Sequence, residues 1–271
     1  MVLSFTVLYA ELNIKDLASS LLRDTQSIFK QTVDDLAQYS RDNYDKQSRQ
    51  PSTPQKGKRL KFPINFYTLL STSNCNQVVS TDAFTACYDY STKISKIVVY
   101  DLKGDDLRSG YIDRKSGNTR LFYSDSKIPK RYRAFPSDYT RSNQDRGHIR
   151  SYASSAYSQQ LIDETYSMVN IVPQTPELNR KRWIKAEKYE RVLAKKLGSV
   201  TVINISRIPN KGLKRIGKHG IGVPVGFYKI ILESDGRDGT FKRCLYYENS
   251  KKKIAKDKLK HHVVDCNKIY Y

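Results

Sequence analysis

Asp145-Arg146-Gly147-His148, then Asn170-Ile171-Val172-Pro173-Gln174, then Asn179, Trp183, Glu187 and Arg191 form the stretch that decides how this chain folds. The last four residues recur every four positions, the spacing of one helix face. Residues 177–197 read as a helix, stopped at Gly198 with Lys195 and Lys196 in its last turn. Residues 146–152 read as a strand ahead of it. Outward from there, SKIVVYDL (95–102) and TRLFYSD (119–125) are rich in β-branched and aromatic residues and predict strands. SVTVINIS (199–206) and PVGFYKIILES (224–234) predict buried strands. Strands and helices alternate irregularly, which points to an α+β domain with helices packed on a mixed, largely antiparallel sheet.

Residues 1–56 are set apart. Ile14, Leu17, Leu21 and Ile28 keep one apolar stripe, so 11–46 predicts a helix packing on the main domain. A dimerising coil fits less well, because Asp24 falls on its seam. The polar, proline-bearing stretch Gln47–Lys58 reads as a linker, which leaves 57–271 as the main domain. The apolar start Met1–Ala10 has no basic region, and Leu8 is a poor residue before a cleavage point, so export is not settled by it.

The chain carries 48 Lys+Arg against 27 Asp+Glu, a net charge of +21. The first 50 residues hold 6 basic and 7 acidic groups, so the remaining 221 carry 42 and 20, and all of the excess. A field of this sign attracts polyanions and favours sequence-independent binding to nucleic acid. No apolar run reaches the roughly 18 residues of a membrane span. The four cysteines, Cys75, Cys87, Cys244 and Cys266, have no metal-site spacing. They predict two local bridges, 75–87 and 244–266, and an oxidising compartment; four buried thiols are the alternative.

Of the four histidines, His219 lies in the basic, Gly-rich loop KRIGKHGIG, and His261 and His262 lie in a lysine-rich stretch. All three read as solvated surface or phosphate contacts. His148 alone ends a compact polar tetrapeptide. An imidazole that titrates near neutrality can take a proton from water, as phosphodiester hydrolysis requires. By itself it would read as a structural histidine. The block that follows adds oxygen donors of the kind Mg2+ accepts, which keeps several waters and needs few protein ligands.

DRGH, then TYSMVNIVPQ (165–174), then N-x3-W-x3-E-x3-R resembles the DNA/RNA non-specific endonucleases. The match spans roughly residues 95–235. It implies a ββα-metal core and an endonuclease that hydrolyses DNA and RNA without sequence preference, leaving 5′-phosphate ends and using Mg2+, with Mn2+ as an alternative. Carried over residue by residue, His148 is the general base. Asn179 is the direct metal ligand, and Glu187 holds the metal through water. Arg146 orders the site, Asp145 positions the strand, Asn170 lies near the metal shell and Arg191 contacts phosphate. Arg120, in R-x-F-x-x-D with Phe122 and Asp125, steadies the charged transition state, unless Arg114 takes its place. Trp183 faces the core.

Eight residues of ideal helix put Asn179 and Glu187 ~12 Å apart along the axis. The roles therefore require Asn179 to lie in a turn leading into the helix. Two features depart from the family: Arg150, a candidate phosphate contact after His148, and the lysines of 251–260, which read as a solvated helix face. The expected partners are DNA and RNA, with no membrane. A homodimer or an inhibitor protein is left open, and the expected location is secreted or periplasmic. The competing readings are a nucleic-acid binder that keeps the fold without catalysis, and a toxin effector carrying the same nuclease.

Overall fold

Six antiparallel strands form the main sheet of the computed structural model, in the order β1-β2-β3-β6-β9-β10. They are β1 (Gln77–Ser80), β2 (Thr85–Asp89), β3 (Ile94–Lys103), β6 (Ser199–Arg207), β9 (Gly226–Glu233) and β10 (Lys242–Glu248). The structure describes residues 75–113, 121–233 and 242–271, together with a few positions between 59 and 73. The α+β reading holds. The expected helix over 11–46, the linker 47–58, Arg114 and Arg120 lie outside the described residues.

The central strands are apolar on both faces because both faces are covered. All but the end residues of β6 are buried. One core joins the sheet to the helical layer through Val98, Leu102, Val202, Phe227, Trp183 and Leu193. A second lies on the opposite face, where Ile97, Ile203, Ile205 and Ile230 meet Leu60, Leu69, Val264 and Ile269. Both expected disulfides are present on that second side, Cys75–Cys87 and Cys244–Cys266. The first ties β2 to the irregular residue Cys75 ahead of β1, and the second ties β10 to a C-terminal 3-10 turn, Cys266–Lys268. Beside the second bridge the Val264 amide donates to the Cys244 carbonyl at 2.9 Å, so the C-terminal segment runs along β10.

Against the helical face lies a smaller pair, β4 (Asp145–His148) with β5 (Ile171–Gln174), antiparallel with His148 opposite Ile171. Among the described residues the α-helices are α1 (Asp106–Ser109), α2 (Gln159–Thr165) and α3 (Ile184–Leu197). The predicted helix 177–197 is real in extent but not uniform. Leu178–Trp183 winds as a π-helical turn before α3 begins, and Gly198 ends α3 at φ +85°. Two expected strands differ. Residues 121–125 make only a single bridge, Tyr123 to Ser167, and the strand expected over 146–152 closes at His148. Past that point Arg150 turns inward and a short 3-10 turn, Tyr152–Ser154, begins.

Within the apolar β9, Lys229 is wholly buried. Its ammonium pairs with Glu190 of α3, donates to the Tyr100 hydroxyl of β3 at 3.2 Å and sits 4.7 Å from the Trp183 ring centre. Glu190, also wholly buried, accepts from Tyr100 and from Ser154 Oγ, each at 3.0 Å. Burial, then the charge of Glu190, pushes the Tyr100 phenol well above its ordinary range, so it stays a donor. A paired buried charge costs little net, but orphaning one partner costs ~3–5 kcal/mol. Lys229→Met should lower unfolding stability by that order in urea titrations. Lys229→Met with Glu190→Leu should recover much of the loss, and no recovery would show that the pair is not the source.

Candidate active site

Gly147 sits where β4 and β5 pair, and a Cβ there would lie 2.3 Å from the Gln174 side-chain oxygen. The close approach lets the two short strands pair, and Arg146 and His148, two residues apart on β4, both reach Phe122. The Trp183 indole donates to the His148 carbonyl at 3.2 Å, fixing the end of β4 against the helix that follows β5. Trp183 is wholly buried, as the sequence predicted, and so serves the site through the backbone. The His148 ring packs between Phe122 and Tyr166, with centroids 5.3 Å away in both cases. Phe122 is held there by the segment around it. The Tyr123 carbonyl accepts from Met168, and Asp125 accepts from Ser167 Oγ at 2.7 Å. Phe122 and Asp125 of the R-x-F-x-x-D pattern are thus supports of the histidine.

Asn179 lies inside a π-helical turn, Leu178–Trp183, rather than in a turn leading into the helix. Closing hydrogen bonds five residues apart places an extra residue in the turn, so Asn179 does not stack over Trp183 as it would in a plain α-helix. Its side-chain Nδ2 instead donates to Asp145 Oδ2 at 3.0 Å. Asp145 also takes Arg180 in a two-pronged pair, 2.8 and 2.7 Å. Burial pushes the Asp145 carboxyl up, but the hydrogen bonds from Arg180 and Asn179 outweigh it and hold the group below the usual carboxylate range. A carboxylate of that kind only accepts, so it fixes the amide orientation with Nδ2, not Oδ1, toward Asp145. Sequence reasoning missed Arg180. Its only signal was a basic residue next to Asn179.

One turn apart on α3, Glu187 and Arg191 share a face, as expected. Glu187 is partly exposed, within electrostatic reach of Glu190 and Lys229. Burial, then the charge of Glu190, pushes it up to about 7, against the pull of Lys229 and Arg191. Arg191 Nη1 donates to Ser151 and Ser154 Oγ, both at 3.3 Å. Arg146 donates twice to the Pro136 carbonyl, at 3.2 and 3.0 Å, with its guanidinium 5.3 Å from the Phe122 ring centre.

Several expectations change. The Asn170 amide is wholly buried and fully spent on backbone: it donates to the Arg150 and Thr165 carbonyls and accepts from the Arg150 amide, each at 2.9 Å. It sets the chain after His148, and both of its amide donors go to backbone carbonyls. Arg150 is not a phosphate contact. It is buried, donating to Ser155 Oγ and to the Ala83 and Asp101 carbonyls, because the chain turns inward at this point. His262 is not solvated. It is buried between the Tyr246 carbonyl and Asp257 and stacks on Tyr247 at 3.9 Å. Residues 251–258 are not helical and, except for Asp257, are exposed; Arg182 donates to the Ser250 carbonyl just before them and Lys185 pairs with Asp257. His219 is half-exposed and paired with the buried Asp138.

This ββα arrangement of β4, β5 and the helix is matched by comparison with known proteins. The DNA/RNA non-specific endonuclease family matches residues 64–269. The chain belongs to that family. The match reaches well beyond residues 95–235, because the sheet strands β1, β2 and β10 are part of the family domain. Human mitochondrial endonuclease G is 34% identical over 170 residues, covering 59% of this chain and 56% of the relative. The mitochondrial nuclease of Saccharomyces cerevisiae is 29% identical over 182 residues, covering 63% and 54%. The chain thus spans about half the length of these curated relatives. The crystal structure of an EndoG/EndoGI complex shares the fold, with a TM-score of 0.62 at 21% identity over 76% of this chain and 88% of that one.

Proposed function

We infer that this protein is a Mg2+-dependent endonuclease that hydrolyses DNA and RNA without sequence preference, leaving 5′-phosphate ends. The observation that supports the reading is the Asp145–Asn179 hydrogen bond at 3.0 Å, which joins the DRGH strand to the helix and turns the amide nitrogen, not its oxygen, toward Asp145. An amide oxygen with a nearby carboxylate suits a hard cation. Asn179 would hold it directly and Glu187 through an intervening water, and the cation's charge would favour ionised Glu187. Mn2+ suits the same donors. When bound, the cation neutralises phosphate charge and eases departure of the 3′ oxygen.

The remaining work falls to the chain itself. His148, oriented by Phe122 and Tyr166 and anchored through its carbonyl by Trp183, takes a proton from the attacking water. Arg146 and Arg191 are held by oxygens of their own chain and supply fixed positive charge where the transition state gathers negative charge. Arg120 and Arg114 remain candidates for the same task. Asp145 positions Asn179 and touches no substrate. The disulfides fit maturation in an oxidising compartment, as in a secreted or periplasmic protein.

Non-specificity is testable by affinity. Lys and Arg contacts to phosphate make binding steeply salt-dependent and indifferent to base order. Several unrelated duplexes should bind within a few-fold of one another across a salt series. One duplex bound ~10³-fold more tightly than the others would mark true sequence recognition and contradict the reading.

A further inference from the structure

A short hairpin stands beside the catalytic strand and carries no part of the chemistry described so far. Its strands are β7 (Arg215–Ile216) and β8 (Ile221–Gly222), and its tip is Gly217-Lys218-His219-Gly220. The charge around it is one-sided. No acidic residue occurs between Glu190 and Glu233, while that interval holds nine Lys and Arg, of which Lys211, Lys214 and Lys218 on or beside the hairpin are exposed. Arg215 is exposed too, but its guanidinium is committed to the Ser91 and Gly220 carbonyls and braces the turn.

Besides Arg215 and the Gly222 amide, which donates to the Thr92 carbonyl at 2.8 Å, a buried carboxylate holds the tip of this hairpin. Asp138 accepts from the His219 backbone amide at 3.1 Å, pairs with His219 Nδ1 at 2.8 Å and accepts from the Phe135 amide at 3.0 Å. Gly217, at φ +68°, lies so close that a Cβ would fall 2.3 Å from the Asp138 Cβ. With Nδ1 turned inward to Asp138 and the ring against Phe135 at 4.4 Å, Nε2 is the imidazole nitrogen left toward solvent. The segment that holds Asp138 also holds the catalytic strand, since the Pro136 carbonyl takes both hydrogen bonds of Arg146. An unbroken path of direct contacts therefore runs from DRGH through Pro136 and Asp138 to the hairpin tip.

We propose that the β7–β8 hairpin is a phosphate clamp, in which Lys214, Lys218 and His219 hold the nucleic-acid backbone to one side of the scissile bond, and Asp138 sets its position relative to Arg146. This rests on the nuclease reading and extends it to a second contact region. A clamp rigidly tied to the catalytic strand would fix the register of the phosphate chain without reading bases, which is what a non-specific cutter requires.

The test measures duplex affinity across a salt series in the His148→Ala background, with digestion by the otherwise unaltered protein run alongside. Lys214→Ala with Lys218→Ala removes two charges from exposed positions, and the slope of log affinity against log salt should fall by about two. Gly217→Ala changes no charge but drives the tip off Asp138, and it should weaken binding at every salt concentration. Lys195→Ala with Lys196→Ala, exposed at the far end of α3, should leave the slope unchanged. If the hairpin variants bind with the parent's slope and affinity while the unaltered protein still digests DNA, the clamp is wrong and the nuclease reading stands. If the parent binds no duplex and the unaltered protein digests none, both fall together.

Discussion

His148→Ala should abolish most cleavage while leaving folding and duplex binding close to those of the parent. A positioned general base is worth ~10²–10⁴-fold, so turnover should fall by at least that order. Binding should survive because the net charge of +21 that attracts polyanions is carried by 48 Lys and Arg rather than by one imidazole. The fold should survive because the His148 contact that joins strand to helix is its backbone carbonyl, received by the Trp183 indole. Single-turnover cleavage, with circular dichroism and duplex affinity measured on the same preparation, checks all three. Turnover at the parent's rate would remove His148 from the mechanism, and equal losses of binding and cleavage would assign it to substrate contact.

Asn179→Ala should be nearly as damaging, for a different reason. It deletes the amide oxygen that would bind Mg2+ and at the same time frees Asp145 from one of its donors. Arg180 would still hold Asp145, so the strand should keep its place and the loss should appear as metal dependence. Glu187→Ala should be milder, because a group acting through water typically costs ~10–100-fold in metal affinity or activity. Cleavage titrated against Mg2+ for the three proteins checks the order. Identical Mg2+ curves for the parent and the Asn179 variant would show that the ligand lies elsewhere.

Much of this site could be read from the sequence because its chemistry needs rare residues at fixed spacing. DRGH and the four-residue rhythm of Asn179, Trp183, Glu187 and Arg191 identify a strand and a helix before any coordinates. The apolar runs of β3, β6 and β9 were legible for a similar reason: strands covered on both faces must be apolar nearly throughout. The short strands β1 and β2 were not, since QVVS and TACYD gain their pairing from neighbours rather than from a pattern of their own.

What escaped the sequence is decided by tertiary contact. Arg150 follows His148 among polar residues and looks like surface, yet it is consumed by the Ala83, Asp101 and Ser155 oxygens. His262 lies in a lysine-rich stretch but is buried, because Asp257 and the Tyr246 carbonyl come to meet it. Asn170 was expected near the metal shell, and its amide holds the backbone at Arg150 and Thr165. The π-helical turn left no mark in a rhythm that reads as plain helix; Asn179 was expected in a turn leading into the helix and lies inside the winding instead.

The most direct test is digestion of supercoiled plasmid and of single-stranded RNA by the purified protein, in Mg2+ and again after EDTA, with the His148 variant beside it. The account predicts that both nucleic acids are degraded to fragments with 5′-phosphate ends in Mg2+, that EDTA stops both reactions and restored Mg2+ revives them, and that the variant leaves both substrates intact. Degradation that continues at the same rate in EDTA, or a His148 variant as active as its parent, would contradict it.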